Sequence, residues 1–296
     1  MEQARISFYD QIASNKRKSW LLMSFIFAVF LLLGYVISQV YSPGSFFFIM
    51  ILSIILSISY ILISYYNSDK IAVASVNAKP ANITEYRQYY NLVEGLTLAS
   101  GIPLPKLYIM QNDQINAFAT GRDPEHAVIC VTTGALEKLD KHELEGVLSH
   151  ELSHIANYDI RFITLVAVMV GMIAIISEIF LRSLWFKSGD RDSGKGNAIF
   201  LLIGIALAIL APIVVQLVQL AISRKREYSA DATAVQFTRT PTGLVRALKK
   251  IKNDKPMKVN KAMAPLFMAD PARSKFANML STHPPLDKRI KILENM

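Results

Sequence analysis

His150-Glu151-Leu152-Ser153-His154 sets two imidazoles four residues apart, with a carboxylate next to the first. On a helix, residues four apart lie one above the other on the same face, so both rings can reach one cation. Glu151 then stands where it can take a proton from a water beside that cation. The chemistry this spacing serves is metal-assisted hydrolysis, and imidazole with carboxylate donors favours zinc. Taken alone, the pentapeptide also fits a solvated helix face.

The helix itself is written locally. Asp140 is a good N-cap, and Glu143 three residues later completes a capping box. Leu144, Val147, Leu148, Leu152 and Ile155 follow at three- and four-residue steps and make an apolar stripe. The two histidines border that stripe, which puts the metal at the edge of a packed core. Asn157 and Asp159 suit a helix end or turn.

A catalytic zinc takes three protein ligands and keeps one position open. The chain has five histidines, His126, His142, His150, His154 and His283. The metzincin pattern needs a third histidine six residues after His154, where Ile160 stands. A carboxylate remains. Glu227-Tyr228-Ser229-Ala230-Asp231 offers two acids four apart on one helix face. Glu227 reads as the third ligand, and Asp231 as the acceptor that fixes a ligand histidine's tautomer. The alternative is that Glu227 pairs with Arg224 or Lys225 on a solvated surface.

Membrane topology favours ligation. The 296-residue chain is 52% hydrophobic with net charge +9. Trp20 to Val40 and Phe46 to Tyr66 are uncharged runs long enough to span a bilayer, joined only by Tyr41 to Ser45. Two more runs cover about 162–181 and 198–222. The first run is too long for a cleaved leader and reads as a retained anchor. Lys16, Arg17 and Lys18 precede it, so the positive-inside rule puts the N-terminus in the cytoplasm. The metal-binding helix and Glu227 then share the cytoplasmic side, since an even number of spans separates them. Arg182, Lys187, Arg191 and Lys195 between runs three and four pull the other way. That pair therefore either crosses fully, the reading preferred here, or enters as a hairpin without crossing. Glu178 reads as a paired interfacial group with Arg182, and Pro212 as a kink.

Other classes are excluded by what accompanies the motif. A single Cys130, in a strand-like Ala127 to Val131, rules out an intrachain disulfide framework. The positive charge comes without a nucleic-acid recognition pattern and fits attraction to the anionic leaflet of the lipid bilayer. Glu85 to Ser100 reads as a helix with Thr84 as N-cap. Strands are expected at Lys106 to Met110, Asn116 to Gly121 and Ala127 to Thr132. Asn253 to Lys275 reads as a mobile loop near the site, and Pro285 to Glu294 as a last helix. The fold class is α+β, mainly helical. It divides into a hairpin at 1–66, a soluble part at 67–159, a second hairpin at 160–222 and a second soluble part at 223–296.

Together these motifs resemble the HtpX heat-shock protease family. The resemblance rests on Asn116 to Gly121, Thr132-Thr133-Gly134, Glu143 to His154, Arg226 to Asp231 and Thr282 to Ile290, in that order between the apolar runs. It implies a zincin-like, gluzincin-type endopeptidase on four transmembrane helices, with one zinc per chain, in the bacterial cell membrane. It further implies a cytoplasmic catalytic domain acting on unfolded or membrane proteins in quality control. It makes Asn116, Ala117 and Phe118 the edge that pairs with substrate backbone, and His283 and Arg289 transition-state donors. A zinc-stabilised scaffold and a transporter are the competing classes.

Overall fold

The computed structural model describes residues 8–41, 43–169, 224–257, 259, 263–269 and 284–296. Runs three and four beyond residue 169 lie outside these, with Glu178 and Pro212, as do His283 and much of the expected 253–275 loop. Helix α1 (Phe8–Tyr41) and α2 (Phe46–Tyr66) form the N-terminal hairpin, joined by a 3-10 turn. α1 begins well before its apolar run, so Lys16, Arg17 and Lys18 are helical residues. Trp20, Leu21, Leu32, Phe47, Phe48 and Ile51 are among the exposed large apolar side chains here, the pattern of a lipid-facing surface. Among the described residues, α2 is the one helix found long and apolar enough to cross a membrane. Leu22, Met23 and Ile26 of α1 and Tyr60 of α2 pack on Phe162, Leu165, Val166 and Met169. The start of the third run is therefore helical (159–169) and docks on the first hairpin.

α3 (Ser68–Ser75) leads to a four-stranded sheet, order β1-β2-β4-β3, made of β1 (Lys79–Pro80), β2 (Lys106–Met110), β3 (Ala117–Gly121) and β4 (Ala127–Thr132). β2 and β4 run parallel, and β3 joins β4 antiparallel with Ala117 opposite Val131. The alternation of strand side chains feeds two cores. Ile109, Ala117, Ala119, Ile129 and Val131 face α4 (Arg87–Ser100) and α6 (Lys141–Ala156), whereas Met110, Phe118 and Cys130 face Ala72, Val76 and Phe267. Both faces are covered, so β3 and β4 are buried along their whole length. Cys130 is a buried thiol in that second core, as its strand context predicts.

α6 starts as expected: Asp140 accepts from the His142 and Glu143 amides, and Glu143 accepts from the Asp140 amide at 2.8 Å. α4 is a correction. It begins at Arg87 after Tyr86, without a side-chain cap, because residues 83–85 form a turn, which the Thr84 amide joins by donating to Asn82 Oδ1. α5 (Thr133–Lys138) precedes α6. α7 (Arg224–Thr238), α8 (Thr242–Asn253) and α9 (Leu286–Leu293) complete the soluble part. α8 approaches α6 backbone to backbone at Gly146 and Gly243, where a Cβ would collide with Leu244 and His142 main chain.

Candidate metal centre

α6 and α7 bring three donors to one point. His150, His154 and Glu227, all buried, offer ligand atoms within 4.8 Å of one another. The two histidine Nε2 atoms are 3.2 Å apart. Glu227 Oε2 is 3.7 Å from His150 Nε2, and its Oε1 is 3.6 Å from His154 Nε2. A tetrahedral zinc with bonds near 2.0–2.1 Å separates its ligand atoms by about 3.3 Å. The donor set fits that ion in kind and in spacing.

Each ring is oriented from behind. His150 Nδ1 is 2.9 Å from Asp231 Oδ1, and His154 Nδ1 is 3.0 Å from Asp159 Oδ2. These contacts hold a proton on Nδ1 and turn Nε2 of each ring toward the shared point, where His154 must give up its Nε2 proton to ligate. Asp231 is fixed by Arg289, whose Nε donates at 2.9 Å and Nη2 at 2.6 Å. Arg289 Nη1 lies 3.3 Å from Glu227 Oε2 and donates to the Met268 carbonyl at 3.2 Å. Arg289 is wholly buried.

Glu151 shares the site. It is 1% exposed, and its Oε1 has no hydrogen-bond partner among the described residues. Such an orphaned acceptor is costly unless something polar meets it. A cavity of about 10 Å³ lies between Ala119, Glu151, His154, Glu227 and Phe267. That is on the order of one water molecule's probe sphere. Burial, reinforced by Glu227, raises the Glu151 carboxyl to about 7, against the pull of His154 and Arg289. Burial, with the charge of Arg289, lowers His150 to about 4 despite Asp231. Burial also opposes a charged His154, but the Asp159 bond and the Glu227, Asp159 and Glu151 charges outweigh it and raise that ring to about 9.

The β3 edge is occupied by the chain itself. Phe267 pairs antiparallel with Phe118, and the Met268 amide donates to the Ala117 carbonyl at 2.8 Å. Asn116, just before the strand, donates through Nδ2 to the Ala269 carbonyl at 3.1 Å. The described part of the expected mobile loop is thus tied to the sheet beside the metal centre.

The sequence reading named His150, Glu151, His154, Glu227, Asp231 and Arg289, and all six meet here. It missed Asp159, which it used only as a helix-end residue; its spacing of five after His154 was the available signal. His126 and His142 lie on the surface, away from the centre.

The family model for Peptidase family M48 matches residues 84–296. This chain belongs to peptidase family M48. A "Protease HtpX homolog" of Dictyoglomus thermophilum is 41% identical over 292 residues, covering 98% of this chain and 95% of the relative. One of Thermoanaerobacter pseudethanolicus is 43% identical over 299 residues, covering 99% of each. The crystal structure of S. mikatae Ste24p is similar at 20% identity and TM-score 0.49, covering 96% of this chain and 66% of that one. The M48 protein is a membrane metalloprotease of the HtpX kind, and its family does not favour the scaffold or transporter classes.

Proposed function

We propose that this metalloprotease holds zinc through His150, His154 and Glu227 and cleaves internal peptide bonds of unfolded or damaged proteins, membrane proteins included. The observation that carries this is the convergence of three donors at zinc-like spacing beside the buried Glu151 Oε1, which has no partner among the described residues. Zinc, when bound, supplies Lewis-acid polarisation of the scissile carbonyl and acidifies water. Asp231 and Asp159 keep the two Nδ1 protons in place, so both rings present Nε2. Glu151 takes the proton from water and passes it to the leaving amine.

The substrate strand takes the place of Phe267–Ala269 along Asn116, Ala117 and Phe118. An antiparallel main-chain pairing there tolerates many sequences, which suits misfolded targets. Arg289 Nη1, freed from the Met268 carbonyl, then offers a donor to the substrate oxyanion, with His283 as the second donor implied by resemblance. Four spans, a cytoplasmic N-terminus and a cytoplasmic catalytic part divided at 67–159 and 223–296 complete the reading. The lipid bilayer keeps the enzyme where damaged membrane proteins are met.

The test is Glu151→Gln in the full-length, detergent-purified protein. Zinc content should stay, while cleavage of an unfolded protein such as casein falls roughly 10²–10⁴-fold. Undiminished cleavage by this variant would reject Glu151 as the base.

A further inference from the structure

The anchor helix α1 reaches the metal centre. Asn15, just ahead of the apolar run, is 3% exposed. Its Nδ2 donates to Asp159 Oδ1 at 2.7 Å and to the Asn157 carbonyl at 3.3 Å. An amide nitrogen has two protons, and this geometry uses both, one on the Asn157 carbonyl and one on the Asp159 carboxylate. Asp159 is fully buried, and its other oxygen faces His154 Nδ1 at 3.0 Å. With Oδ1 held, Asp159 cannot rotate away from the ring. Arg226 Nε stands 4.0 Å from the same Oδ1, a longer and less directional contact. A neighbouring contact seats α1 on this turn: Lys16 lies over the Tyr158 ring at 4.8 Å.

We propose that Asn15 is a positioning residue of the metal centre. It sets Asp159, Asp159 sets His154, and the membrane anchor thereby takes part in holding the cation. The inference rests on the zinc reading above.

Zinc affinity measured by chelator competition, with the absorption spectrum of the Co²⁺-substituted protein, tests it in full-length enzyme. Asn15→Leu should weaken zinc about ten- to a hundredfold and alter the Co²⁺ bands. Asn15→Asp, which keeps the side-chain shape, should do the same by setting two carboxylates face to face. Asp159→Asn should also weaken zinc, because one oxygen cannot serve both Asn15 and His154. The combined Asn15→Asp/Asp159→Asn swap should recover much of the loss. Its new amide at 159 donates to the new carboxylate at 15 and keeps its oxygen for the ring. A purely structural role for Asn15 gives no such recovery. Wild-type affinity and spectrum in both Asn15 variants, or a swap no better than its worse single, would overturn the inference while leaving the zinc reading intact. A wild-type protein that takes up no zinc would sink both.

Discussion

His150 and His154 each turn an Nδ1 proton toward a buried carboxylate, but different parts of the molecule hold the two carboxylates. Asp231 sits on α7 beneath Glu227 and is gripped by the Arg289 guanidinium of α9 through two charged bonds. Asp159 opens the helix (159–169) that follows α6 and its short turn, and is gripped by the neutral Asn15 amide of α1. The first arm is a buried ion network inside the soluble part, tied through Met268 to the β3 edge. The second arm ties the centre to the N-terminal helical hairpin. The contrast appears in the rings themselves: burial and then Arg289 lower His150 to about 4, whereas for His154 the Asp159 bond and the Glu227, Asp159 and Glu151 charges outweigh burial and raise it to about 9. Near neutral pH and without metal, one arm therefore carries a neutral ring and the other a charged one.

The largest effect should come from the ligand both arms share. Glu227→Ala should abolish tight zinc binding, since a carboxylate donor is lost and Arg289 gains no substitute for it. Metal analysis after dialysis checks this, and stoichiometric zinc would remove Glu227 from the ligand set. Next come the two orienting acids. Asp231→Ala leaves the buried Arg289 beside a histidine, so it should destabilise the fold by about 3–5 kcal/mol as well as weaken zinc. Asp159→Ala leaves the Asn15 amide without its carboxylate and removes one of the two acids, with Glu227, that face the buried Arg226; it should cost about 1–3 kcal/mol. Denaturant unfolding of the metal-free proteins ranks them, and equal losses would erase the contrast.

Proton release sharpens the comparison further. His154 is raised, so at pH 8 it is still protonated and must lose that proton to bind zinc; His150 is lowered and has none to lose. Zinc uptake at pH 8 should release about one proton, and affinity should rise roughly tenfold per pH unit up to about pH 9. Removing the Asp159 bond lowers the ring's pKa, so Asp159→Ala should release less than wild type. Titration in weak buffer measures both. The smallest effect is expected at the strand tied to the Arg289 arm. Met268→Pro removes the amide that donates to Ala117, so casein cleavage should rise about two- to fivefold as the β3 edge opens. A fall in rate would mean that this segment builds the site rather than covering it.

Much of this was legible from local spacing. The Asp140–Glu143 cap, the 150/154 pair and the 227/231 pair are all three- or four-residue relations, and a helix converts those directly into shared faces. Short strand-like runs set off by prolines and a turn likewise marked β2, β3 and β4. The short β1 was not legible, since two residues carry no period, and α8 went unread although its apolar stripe is regular. The close α6–α8 approach was hidden because a glycine in sequence does not name its partner.

The amino-acid sequence by itself determined which residues could ligate and which acid could serve as base, because helical periodicity is a property of the chain alone. Only the tertiary structure decided what holds those residues still. Asn15 and Asp159 are separated by 144 positions, and Arg289 and Asp231 by 58. No repeat or spacing rule spans such distances. Their pairing follows from how α1 and α9 dock, and docking is set by the shape and burial of whole surfaces rather than by any short stretch of residues.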